Sequence, residues 1–100
     1  MKLSLSKAFD YVRKWETQGT EINGMLIAVL PSALVIKFQA HAAIHAQGVM
    51  LTAENGFELS LVLTESMTFT YNDALLEIRR EDWRLCLYEP KSNRSLRLVK

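Results

Sequence analysis

One hundred residues, 49% apolar and 23% charged, describe a single globular domain and exclude a disordered chain. A net charge of +1 excludes a protein-wide field that draws in nucleic acid or acidic lipid. The lone cysteine, Cys86, excludes an internal disulfide and fits a reducing, cytoplasmic setting.

The first residues, Met1 to Lys7, begin basic but lack the apolar stretch of a signal peptide, because Lys7 and Asp10 interrupt it. Residues 4–18 read as an amphipathic helix. Leu5, Ala8, Phe9, Val12 and Trp15 recur at helical spacing, with Tyr11 at the margin of the stripe. Ser4 or Ser6 caps the start, and Gly19 stands where a left-handed C-cap belongs.

Everything beyond Gly19 reads as strand and turn. From Ile22 to Ala53 the only charged side chain is Lys37. Met25 to Leu30 is apolar at every position, the pattern of a strand covered on both faces, and Pro31-Ser32 marks a turn. This apolar run is too short to span a bilayer, so no membrane partner is expected. Between 33 and 47 the pattern has period two. Leu34, Ile36, Phe38, Ala40, Ala42 and Ile44 are even-numbered; Lys37, Gln39, His41, His45 and Gln47 are odd. That is a pleated strand with one dry face. Straight, it would reach about 50 Å, so a bend or break is expected near Ala42-Ala43 or at Gly48.

Glu54-Asn55-Gly56 signals a hairpin. Phe57 to Leu63, Met67 to Tyr71, Leu76 to Arg79 and Trp83 to Tyr88 then alternate, with a turn at Asn72-Asp73. Residues 89–93 read as a loop, and 94–99 as either a last short strand or a frayed end. The expected fold is mainly β (α+β): an N-terminal helix, then six or seven antiparallel strands over 22–99. They make a small barrel or a strongly curled meander, in one domain spanning 1–100.

Catalytic signatures are missing. The four glycines are isolated, so there is neither a phosphate loop nor a dinucleotide fingerprint, and no serine sits in a Gly-x-Ser-x-Gly setting. His41 and His45 would share an ion on a helix, but on a strand they stand about 13 Å apart. No catalytic residue, metal or cofactor is assigned. Charge is polarised, however. Residues 1–78 carry five basic and eight acidic side chains, whereas 79–100 carry seven basic and three acidic. Arg79, Arg80, Arg84, Arg94 and Arg97 with Trp83 are therefore candidate contacts for nucleic acid or a phosphorylated ligand. Arg80 and Arg84 share the Arg-x-x-x-Arg spacing of PilZ domains, but the glycine-containing element those domains place after it is absent.

The apolar excess of 22–53 points to a different class, a non-enzymatic interaction or assembly module that forms homo-oligomers, with Leu26 and Leu30 as candidate contacts. A third reading places a small ligand inside the barrel.

Overall fold

A computed structural model of the chain describes residues 2–28 and 34–90. The helix forms as the spacing predicts: α1 runs Leu5–Gln18. Ser4 accepts a hydrogen bond from the Lys7 N–H, and Gly19 closes the helix at φ 64°, a left-handed conformation that glycine adopts without a Cβ penalty. Ala8, Val12 and Trp15 are buried along one stripe.

Eight strands follow the chain as β1 (Lys2–Leu3), β2 (Glu21–Ala28), β3 (Leu34–His45), β4 (Gly48–Thr52), β5 (Glu58–Val62), β6 (Thr68–Asn72), β7 (Leu75–Arg79) and β8 (Trp83–Tyr88). They form one antiparallel sheet in the order β1-β6-β7-β8-β2-β3-β4-β5. The sheet curls without closing by hydrogen bonds, so β1 and β5 remain its two ends. The eighth strand is β1, two residues long and too short to show alternation.

One face of the curl is dry. Across the middle of the sheet Leu76 lies beside Leu87 and Ile78 beside Leu85, and all four are fully buried. Helix α1 lies on this inner face. Tyr11 stacks on Tyr71 of β6 with ring centroids 3.9 Å apart, and Trp15 Nε1 donates to Glu89 Oε2 at 2.9 Å, just past β8. Glu16 Oε1 accepts from the backbone N–H of Ile44 in β3 at 3.1 Å. The helix thus contacts both halves of the sheet, and a cleft of about 490 Å³ remains between its Leu5, Phe9 and Arg13 and the β3–β4 turn at Ile44 to Gln47.

Two expectations need correction. Met25 to Ala28 is not covered on both faces, since all four side chains are half-exposed. Leu26 and Ala28 share the inner face with Leu85 and Trp83, whereas Met25 and Ile27 share the outer face with Cys86 and Arg84. Among the described residues α1 is the only helix, and it packs on the inner side. Nor does β3 break at Ala42-Ala43. It runs unbroken through twelve residues, about 40 Å at 3.3 Å each, and the longest dimension of the domain is 40 Å. The reversal comes at Ala46-Gln47, directly before Gly48, with Ala46 at φ 57°.

The other turns stand close to their sequence signals. The turn at Asn72-Asp73 centres one residue later, on Asp73 and Ala74, both at positive φ, the dihedral pattern of a two-residue hairpin turn. Gly56 takes φ 91° in the loop between β4 and β5. The strand expected over 94–99 lies outside the described residues.

Candidate interaction surfaces

Strand β3 changes partners halfway. Leu34 to His41 pair with β2 on one side, and His41 to His45 pair with β4 on the other. His41 alone has a neighbour on each flank, Glu21 and Thr52. Among the described residues, the β4 side of β3 therefore has no neighbouring strand from Leu34 to Ala40.

The backbone groups facing that open side follow from the hairpin. His45 and Gly48 flank a two-residue turn, and the flanking pair of such a turn exchanges both hydrogen bonds. Odd-numbered residues of β3 thus direct their N–H and C=O toward β4. The Ile44 N–H, which points the other way to Glu16, agrees. By the same alternation Val35, Lys37 and Gln39 present their backbone groups to the open edge.

Apart from Lys37 and Gln39, the side chains along this edge are apolar. Leu34 is 56% exposed and Val35 51%, two of the three large apolar side chains left in the open among the described residues, the third being Val62 of β5. Beside them a cleft of about 420 Å³ runs between β3 and the loop after β4, lined by Ile36, Phe38, Gln39, Ala53, Glu54 and Phe57, among others. Phe38 and Phe57 form its apolar wall, ring centroids 5.1 Å apart. The Phe38 ring also covers Gly24 on β2, where a Cβ would stand 2.3 Å from the ring.

The arginine-rich turn is a second surface. Arg79, Arg80, Trp83 and Arg84 surround one hollow of about 190 Å³, with Ile27 and Glu81. Arg79 and Arg84 are directly opposed across β7 and β8. Their repulsion is partly relieved by Glu77, whose Oε2 lies 2.9 Å from Arg84 Nε. Trp83 points to the inner face, in register with Ala28, and packs against the core. Its indole is therefore not stacked among the exposed guanidinium groups. Arg94 and Arg97 lie outside the described residues, as does Leu30. Leu26 is half-buried against the core.

The remaining polar candidates stand apart. His41 and His45 are exposed on the outer face of one strand, too far apart to share an ion. Among the described residues no group of three or more His, Cys, Asp or Glu side chains is placed to hold a metal, and no helix is long and apolar enough to cross a membrane. Cys86 is buried on the outer face between Glu77 and Met25.

Burial pushes the Cys86 thiol above its usual range, with the Glu77 carboxylate adding to the shift and Arg84 opposing it. Burial likewise raises Tyr71, helped by Glu89, Tyr11 and Asp73. Both groups hold their protons more tightly folded than unfolded. The stability they contribute is complete below the unfolded pKa and is lost as pH rises through the folded one. Stability should therefore fall as pH climbs above ~8.5, where an unfolded thiol ionises, and Cys86→Ala should flatten the first part of that decline. Urea midpoints between neutral and alkaline pH check this.

Set against family models, curated proteins and solved structures, the chain matches none. Its class is accordingly defined by its own form, a curled, open antiparallel sheet wrapped around one helix and carrying a bare apolar strand edge. Nothing in the sequence marks that edge. The only available signal is that the alternating run of β3 is far longer than β4, which cannot cover all of it.

Proposed function

We propose that this protein is a non-enzymatic interaction module of the cytoplasm that acts by self-association. The open edge of β3 carries the reading. Unpaired strand edges with apolar side chains are the surfaces that sheets normally blunt with charge, proline or a covering segment. Here Lys37 is the only charge between Leu34 and Ala40, and no strand among the described residues covers the edge. A second copy is the simplest cover, and two-fold dimers are the commonest oligomers. Sedimentation of the purified chain from low to tens of micromolar should show mass rising toward a dimer. A strict monomer throughout would overturn the proposal.

The arginine hollow supports a second reading, recognition of a phosphorylated ligand or nucleic acid. Arg79 and Arg80 are exposed, and neither has a side-chain partner among the described residues. Several phosphate contacts would make affinity for a single-stranded oligonucleotide fall about tenfold or more between low and moderate salt. Arg80→Ala with Arg84→Ala should abolish that binding, and binding that survives both changes would remove the reading. The interior-ligand reading has less to support it, because Ala8, Val12 and Trp15 occupy the concave face.

A further inference from the structure

We infer that two copies of this chain join edge to edge through antiparallel pairing of their β3 strands, with the two-fold axis passing through Ile36. The inference rests on the self-association reading and adds a register to it.

Three constraints narrow the register, and the packing of the inner face then selects the axis at Ile36. A two-fold axis perpendicular to a sheet keeps each face on its own side, so residues of like parity must stand opposite one another. The groups at the open edge belong to Val35, Lys37 and Gln39, so the hydrogen-bonded pairs must join odd-numbered residues. The third constraint is charge. An axis at Lys37 would set two ammonium groups directly opposite, which destabilises a cross-strand pair. An axis at Ile36 sets Lys37 opposite the partner's Val35, whose backbone groups exchange with those of Lys37 at both ends of the joint.

The same axis satisfies the inner face. Leu34, among the most exposed apolar side chains, comes opposite the partner's Phe38 and enters the cleft walled by Phe38 and Phe57. Each copy gives a leucine and receives one. The alternative edge, β5, is less suited, since on its outward face Val62 follows Glu58 and Ser60.

Single cysteines at Val35, Ile36 and Lys37, each in a Cys86→Ala background, test the register under mild oxidation. Across a non-hydrogen-bonded antiparallel pair the Cα atoms lie about 4.5 Å apart, within disulfide reach. Ile36→Cys should yield a covalent dimer as the main species, whereas Val35→Cys and Lys37→Cys alone should not. A dimer by sedimentation that cross-links through Lys37→Cys, or through Val62→Cys instead, would overturn this register while sparing self-association. Absence of any dimer in the uncross-linked protein would overturn both. A charge test guards against a poorly folded cysteine variant. Val35→Lys should weaken the dimer about tenfold by facing the partner's Lys37, and Val35→Glu should preserve it by pairing with that lysine. Equal effects of the two changes would also overturn the register.

Discussion

Replacing Gly48 by alanine should destabilise the protein by about 3 kcal/mol, lowering the melting temperature by roughly 12 °C or more in a domain of this size. Gly48 is buried at the start of β4, paired with His45 on one side and Val62 on the other. A Cβ there would stand 2.2 Å from the Leu61 carbonyl oxygen and 3.2 Å from the Val62 Cα. Both are backbone atoms, so no rotamer change relieves the overlap, and β5 itself must move. Gly24 makes a useful contrast: its clash is with the far end of the Phe38 ring, which can swing aside. Gly56→Ala meets open space and suffers only the strain of φ 91°, about 1 kcal/mol. Thermal melts of the three variants should therefore rank Gly48→Ala well below the other two. A Gly48→Ala protein as stable as Gly56→Ala would show that β5 does not lie where this geometry puts it.

The period-two pattern of 33–47 was legible because alternation is a local property, and the dry face it implies is the face that receives α1. The helix was legible for the same reason, down to Ser4 and Gly19. What alternation cannot convey is which strand lies beside which. The exchange of partners at His41 depends on where β2 begins and β4 ends, and those limits are set by turns more than ten residues away. The uncovered outer side of Met25 and Ile27 was hidden similarly, since an apolar run reads alike whether one face or two are covered. The arginine cluster was legible because Arg79 to Arg84 flank one tight turn, so nearness in sequence became nearness in space. Even there the strand pairing decides the chemistry, turning Trp83 into the core and Arg84 toward Glu77.

The bare edge and the helix are connected through Glu16. Had β2 extended beyond Glu21, it would have paired with the Ile44 N–H; instead the Glu16 carboxylate takes that donor. The helix therefore acts as the flanking partner of β3 in the half where β4 supplies the other ladder. In the opposite half β2 takes one flank, and no described strand takes the other. The open edge is the residue of a long strand served by three short neighbours, each placed by a different part of the chain.

Trp15→Ala should be the most damaging single side-chain truncation in the helix, costing about 3–5 kcal/mol. Trp15 is 1% exposed and stands in the core with Ala8, Val12 and Ile22, while its indole N–H reaches Glu89 beyond β8. Truncation removes the largest fully buried side chain and opens a cavity that the curled sheet cannot collapse around without sliding its strands. Trp15→Phe helps to separate the two contributions, because it keeps most of the aromatic bulk while losing the donor. Its cost should be about 1–2 kcal/mol, set by the lost hydrogen bond and the smaller ring. Urea unfolding monitored by far-ultraviolet circular dichroism measures both. A loss below about 1 kcal/mol for Trp15→Ala would mean that the helix is not seated in the sheet. The consequence then reaches the assembly. A sheet released from α1 would lose its curl and the Glu16 contact to Ile44, and β3 would no longer present Val35, Lys37 and Gln39 as one pairable edge. Trp15→Ala should thus weaken self-association although Trp15 lies on the inner face, away from the edge itself.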